Sequence, residues 1–184
     1  MDERSARVRL IRILQDAHAG ELAAALAYRA HWRSLPRGSE RDEVRRIEGT
    51  EWHHRAEVLD MLGYLGARPR PGRERAMRFV GRFFGSLCFV TGWFWPMYAA
   101  GRLEAQNVGQ YVAARDAATT LGLDDFIDRL QAMTVEEDRH EQWFGDRVSG
   151  HWLLPLARRL LGWTPPPPRP TTKEPADAVR EAAL

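Results

Sequence analysis

The chain has 184 residues, 44% hydrophobic and 28% charged, which suffices for one domain with a full core and excludes global disorder. Its 27 basic residues, all arginine except Lys173, nearly balance 25 acidic ones, and a net charge of +2 sets up no field that demands nucleic acid. A single cysteine, Cys88, rules out a disulfide framework, a four-cysteine zinc site or an iron–sulfur cluster within one chain, and it fits a reducing, cytoplasmic setting.

From Met1 to Arg12 the chain stays charged and carries no apolar signal-peptide core. Apolar residues then recur at helical spacing (Val8, Ile11, Leu14, Leu22, Ala25, Leu26), which predicts a first helix over residues 5–35, stopped by Pro36 and Gly38. Ser39 is the expected N-cap of a second helix, with Glu40, Asp42 and Glu43 at its positive end. That helix runs to about residue 65 and ends in the breaker cluster Gly66-Ala67-Arg68-Pro69-Arg70-Pro71-Gly72.

Next come 19 residues without charge, Phe83 to Gly101. Such a run is long enough for a membrane span, but Gly85, Gly92 and Pro96 oppose a single straight helix. The expectation is a helix or half-helix before Gly92, a break near residues 93–96, and a third long helix over 97–121. Gly122 ends it, and Asp124 is the expected cap of a fourth helix over 125–148. A short basic, apolar helix is expected within 151–163. No stretch has strand periodicity, so the fold class is all-α: a four-helix bundle with a long apolar crossover between helices 2 and 3 and a short C-terminal helix. Residues 1–163 read as the domain. Residues 164–184, with four consecutive prolines from Pro165, read as an extended, mostly disordered tail.

Two of the four long helices contain Glu-x-x-His: Glu51 with His54, and Glu137 with His140. On a helix, positions i and i+3 share a face, so each pair can aim a carboxylate and an imidazole at one point. Each remaining long helix has a glutamate on its apolar side, Glu21 and Glu104. The order Glu, Glu-x-x-His, Glu, Glu-x-x-His, with spacings of 30 and 33 residues, is an internal repeat of a helix pair. It is also the donor set of a carboxylate-bridged dimetal site in a bundle. Four carboxylates in an apolar bundle need counter-charge, which two divalent cations supply. Mixed oxygen and nitrogen donors without thiolates suit two iron ions, with manganese as the alternative.

Tyr28 and Tyr111 each follow a candidate glutamate by seven residues, and His18 precedes Glu21 by one turn. All three are candidates to hydrogen-bond the metal ligands or, for the tyrosines, to take part in radical chemistry; core tyrosines with satisfied hydroxyls are the alternative. His53 points away from the His54 face, and Cys88 reads as a packed small residue.

At these residues the chain resembles the demethoxyubiquinone hydroxylase family of the ferritin-like superfamily. The resemblance rests on His18-Ala19-Gly20-Glu21, on Glu51-x-x-His54 followed by the Gly/Arg/Pro-rich break and the apolar crossover, and on Glu136-Glu137-x-x-His140, and it spans residues 10–150. It departs from the family's pattern in that Asp16 is separated from His18 by Ala17, and in the surroundings of Glu104, Arg102 to Asn107. The resemblance implies six iron ligands, Glu21, Glu51, His54, Glu104, Glu137 and His140, with Glu51 and Glu137 bridging. It implies oxygen-dependent hydroxylation of a quinone ring in ubiquinone biosynthesis. Electrons would come from an external reductant, reduced nicotinamide in the family, since the chain has no Gly-x-Gly-x-x-Gly motif.

A quinone substrate implies contact with a membrane surface, peripheral at the inner face of the cell membrane. Trp93-Phe94-Trp95 and Trp152-Leu153-Leu154, with Arg158 and Arg159, read as interfacial anchors. The alternative is that the crossover packs on the bundle or pairs two copies as a homodimer. Two other readings compete: an iron-oxidising or peroxide-scavenging ferritin-like protein without organic substrate, and a metal-free helical interaction module.

Overall fold

The computed structural model of the chain describes residues 2–169. It is all-helical: α1 (Glu3–Ser34), α2 (Ser39–Tyr64), α3 (Pro71–Leu87), α4 (Phe94–Thr120), α5 (Asp124–Val148) and α6 (Leu154–Leu161). No strand occurs among the described residues.

The ends of these helices follow local chemistry. Asp2 caps α1 by accepting from the Ser5 amide at 2.9 Å. Pro36 holds Leu35 extended (φ −83°, ψ 147°), which terminates α1. Gly38 then sits at φ +151°, a region closed to side chains, and takes the N-cap position of α2. Ser39, the expected cap, is instead the first helical residue. Asp124 is likewise the first residue of α5, with Leu123 at the cap position. In both places the acidic residues act on the helix dipole rather than as caps.

The crossover differs from the expectation in detail. Pro71 and Gly72, grouped in sequence with the breaker cluster, open α3, because proline fits the first helical turn. Helix α3 continues past Arg82 to Leu87, and the break falls at residues 88–93. Pro96 lies in the first turn of α4, where its missing N–H costs no intrahelical bond.

Helices α1 and α2 form one antiparallel pair and α4 and α5 another, and α1 also packs on α4 and α3. Arg7 of α1 donates to the Leu65 carbonyl at 2.7 Å, tying the start of α1 to the end of α2. Helix α3 lies on α1 through two glycines. A Cβ on Gly81 would meet the Ala23 Cα at 2.7 Å, and one on Gly85 would meet the Ala30 Cβ at 2.8 Å. The start of α3 is pinned by Glu74, which binds His18 of α1 at 2.6 Å and Arg55 of α2 at 2.7 Å.

The buried apolar residues form two layers. One contains Leu10, Leu14, Val58, Met61, Tyr111, Ala114, Phe126 and Leu130. The other contains Ala24, Tyr28, Val44, Ile47, Met97, Tyr98, Phe144 and Val148. On every long helix the candidate donors fall between these layers.

After α6, Gly162 turns the chain in a left-handed conformation (φ +76°). The Trp163 ring then lies on Gly101 of α4, while its Nε1 donates to Glu141 of α5 at 2.9 Å. The Tyr98 hydroxyl donates to the Trp163 carbonyl at 2.6 Å, and the Gln142 amide to the Pro167 carbonyl at 3.2 Å. Residues 164–169 thus run extended along α5 and are held to it. The remainder of the expected disordered tail lies outside the described residues.

His31 is buried in the second layer, stacked on Phe144, and its Nε2 has no partner. Burial lowers its pKa to about 4. An imidazole that protonates more readily unfolded than folded stabilises fully above the unfolded pKa, about 6.5, and loses that contribution as pH falls toward 4. The expected difference across that window is on the order of 3 kcal/mol. His31→Phe should flatten the pH dependence of denaturant-unfolding free energy between pH 6.5 and 4, relative to the wild type; an unchanged slope would refute the assignment.

Candidate metal centre

Glu21 lies on α1 between the layer residues Ala17 and Ala24, and Glu104 occupies the corresponding stretch of α4 between Ala100 and Tyr111. Glu51 and His54 lie between Ile47 and Val58 of α2, and Glu137 and His140 between Met133 and Phe144 of α5. The apolar periodicity that builds the two layers therefore turns all six side chains inward. Each is no more than 2% exposed.

Their donor atoms converge on two points. Glu21, Glu51, His54 and Glu137 each offer an atom within 4.8 Å of the others, and so do Glu51, Glu104, Glu137 and His140. Glu51 and Glu137 belong to both groups. Two adjacent four-donor sets sharing two carboxylates can hold two cations side by side.

The hydrogen bonding leaves this cluster unsatisfied. Both Glu51 oxygens, one oxygen each of Glu21 and Glu137, and Nδ1 of His140 are buried without a partner. Unpaired buried polar atoms are rare in folded proteins because each carries an uncompensated desolvation cost. Nδ1 of His140 stands 3.6 Å from Glu51 and 3.8 Å from Glu137 without a hydrogen bond, and these orphaned atoms belong to the two four-donor groups, so the residues fit a pair of divalent ions.

The electrostatics agree. Burial raises the pKa of Glu51, Glu104 and Glu21, and the neighbouring carboxylates raise Glu51 and Glu104 further. Burial alone would lower His54, but Glu137, Glu21 and Glu136 outweigh it and push its pKa up to about 9. His140 goes the other way, lowered by burial. Without cations the cluster recruits protons as counter-charge.

A shell of donors orients the carboxylates. The Tyr28 hydroxyl donates to Glu104 and the Tyr111 hydroxyl to Glu21. Both tyrosines thus touch the candidate ligands, but each bonds the glutamate of the other helix rather than of its own. Asn107 approaches Glu104 at 3.4 Å. His54 faces Glu137 through Nδ1 at 2.9 Å and Glu136 through Nε2 at 2.7 Å. Glu136 is half-exposed and holds the imidazole from outside, the arrangement that fixes the tautomer of a ligating histidine. Glu136 is a functional neighbour that the ligand pattern does not single out; the paired Glu136-Glu137 before His140 is its signal in the sequence.

His18 does something else. Its ring bonds Glu74 and its carbonyl accepts from Arg55, so it anchors α3 rather than a candidate ligand. A shallow cavity of about 450 Å³ opens beside it, lined by Trp52, Leu59 and Pro69 among others. His53 is exposed. Cys88 is only half-buried and bonds the Phe84 carbonyl.

No protein-family model matches this chain, and no curated protein or solved structure matches it significantly.

Replacing Glu51 by glutamine removes a buried acid with two orphaned oxygens. Glu51→Gln should raise the stability of metal-free protein at neutral pH by on the order of 1–3 kcal/mol while weakening cation binding. The sign follows from its raised pKa: an acid with a higher folded pKa supports folding only at low pH and loses that support as pH rises. Thermal unfolding in chelator, with and without the substitution, checks it. A destabilised metal-free variant would show that Glu51 is structurally paired.

Proposed function

We propose that this chain is a ferritin-like diiron protein that hydroxylates a quinone ring or similar apolar substrate with molecular oxygen. The observation that carries the proposal is the pair of four-donor groups sharing Glu51 and Glu137 inside a closed helical layer. Glu21 and His54 would complete one iron site, Glu104 and His140 the other. The bound irons would supply oxygen reduction and transfer of one oxygen atom to carbon. An external reductant provides the two electrons that balance the second oxygen atom, which leaves as water.

The protein's own part is positioning. Tyr28 and Tyr111 hold Glu104 and Glu21, Glu136 holds His54, and the two apolar layers exclude water. Oxygen-rich donors with two imidazoles favour iron, and manganese would fit the same set.

Membrane-surface contact supports an apolar substrate. No helix among the described residues is long and apolar enough to cross a membrane. The anchors differ from those expected. Phe94 is core, and the Trp93 indole bonds Glu40, because α4 already begins there. Trp152 is exposed as expected, with Arg158 and Arg159 nearby. The larger apolar surface is on α3 and its following turn: Phe79, Phe83, Phe84, Phe89 and Val90 are all more than half exposed, with Arg75, Arg78 and Arg82 among them. This composition suits a helix lying on anionic lipid at the inner face of a cell membrane.

A second reading has its own support. The complete burial of all six donors favours small oxidants, as in an iron-oxidising or peroxide-scavenging protein without an organic substrate.

Anaerobic loading with ferrous iron should give close to two irons per chain, the complement of this donor set. Glu104→Ala should lose iron, and fewer than one iron per chain in the wild type would overturn the dimetal reading. With iron bound, oxygen and a reductant should add one oxygen atom to a short-chain quinone analogue, read by mass spectrometry; peroxide consumption without that product selects the second reading. Vesicle co-sedimentation tests the surface. Phe83→Ser should lower partitioning onto anionic vesicles roughly tenfold, about 1.5 kcal/mol of lost apolar burial, whereas an unaffected bound fraction would exclude α3 and a dimer on sizing would assign that face to a second copy.

A further inference from the structure

The two halves of the cluster differ in what surrounds their tyrosines. The repeat places Tyr28 and Tyr111 at equivalent positions, and each donates to a glutamate of the cluster. Beyond Tyr28 the aromatic contact continues. Its ring stacks on Phe144 at 5.8 Å between centroids and an interplanar angle of 11°. Phe144 meets Trp143 edge to face at 5.0 Å. Trp143 is half-buried and reaches the surface, where Arg147 lies over its ring at 5.0 Å. These separations are van der Waals contact between ring edges.

Beyond Tyr111 the rings are imidazoles rather than phenyl and indole: His54 at 5.9 Å, and then exposed His53 at 6.5 Å from it. The residues of α2 that correspond to Phe144 and Trp143, each seven and six positions after the Glu-x-x-His glutamate, are Val58 and Glu57. One half of the repeat carries a phenyl ring and an oxidisable indole from a cluster carboxylate to the surface; the other carries imidazoles, which are far harder to oxidise, with an aliphatic residue and a charge at the corresponding positions.

We propose that Tyr28, Phe144 and Trp143 form a one-electron route between the buried cluster and the protein surface. Resting on the two-iron reading above, it gives that site an electron entry the complete burial of its donors otherwise denies to a large reductant.

The chemistry balances with hydrogen peroxide as oxidant at the iron-loaded site. Each peroxide takes two electrons and two protons and leaves as two waters. For each electron, Tyr28 is oxidised while its hydroxyl proton shifts along the hydrogen bond to Glu104. Trp143 gives one electron to Tyr28 across the Phe144 contact, and the proton returns to the phenol oxygen. Trp143 is then refilled by an external one-electron reductant such as ascorbate, and solvent supplies the protons for water. Phe144 carries no charge of its own; it closes the gap between two rings that can be oxidised.

The test uses full-length protein loaded with iron, its metal content measured, and treated with peroxide without reductant. Peptide mass mapping then locates oxygen added to tryptophan. Trp152 is the internal reference, since it is 79% exposed and is the first target of oxidant in solution. The expected result is iron-dependent oxidation at Trp143 in excess of Trp152, suppressed by ascorbate. Per bound iron, Tyr28→Phe should abolish it while Trp152 oxidation persists, and Phe144→Leu should do the same. Tyr111→Phe, which likewise frees a ligand glutamate, should retain Trp143 oxidation per bound iron, so loss of a glutamate's hydrogen bond alone does not account for the Tyr28→Phe result. Tyr28→Phe deletes only a hydroxyl, so it decides the matter if Phe144→Leu does not fold. Trp143 oxidation no greater than that of Trp152, or equal in Tyr28→Phe, overturns the route while leaving the iron site standing. Failure of the wild type to bind iron overturns the two-iron reading and the route with it.

Discussion

The structure turns on an uncompensated charge. Glu21, Glu51, Glu104 and Glu137 meet in the interior with two histidines. Taking a carboxylate out of water is costly, and four together cost more than their hydrogen bonds return. Tyr28 and Tyr111 offset part of this for Glu104 and Glu21, and a positively charged His54 offsets more. Glu51 has no hydrogen bond to either oxygen, and the nearest imidazole, His140, stands 3.6 Å away. The two apolar layers hold the cluster together against its own repulsion.

The fold delivers that arrangement by repetition. Each half of the chain is a helix with one glutamate followed by a helix with Glu-x-x-His, and the helix pairs pack so that all six side chains occupy one level. Helix α3 joins the halves across the outside of α1. Gly81 and Gly85 let it lie close, and the ion pairs of Glu74 fix its start, which leaves its aromatic face outward. One sequence run thus serves as connector and as apolar surface.

Much of this was legible in the chain itself. Helix number, the all-helical class and the six inward side chains follow from a 3.6-residue apolar period on which Glu and His recur. What escaped was set by contacts between distant residues. An uncharged run does not distinguish a helix end from a helix start, so the break expected near residues 93–96 falls at 88–93, and Pro96 occupies the first turn of α4. Trp93-Phe94-Trp95 looked like an exposed anchor, yet Phe94 stacks on His151 in the core at 4.3 Å. His18 shares a helix face with Glu21, but Glu74 draws its ring away, a partner 56 residues distant that no local pattern reveals. Helix caps were off by one at Ser39 and Asp124 because backbone conformation at Gly38 and Leu123 outranked side-chain preference.

The sharing of Glu51 and Glu137 makes each half of the chain depend on the other. The first half of the chain supplies three donors of one group and lends one to the other, and the second half does the same in return. This reciprocal exchange is what two identical helical hairpins would make about a two-fold axis. Each half leaves its own group one donor short, so neither group is complete until both helix pairs have folded against each other.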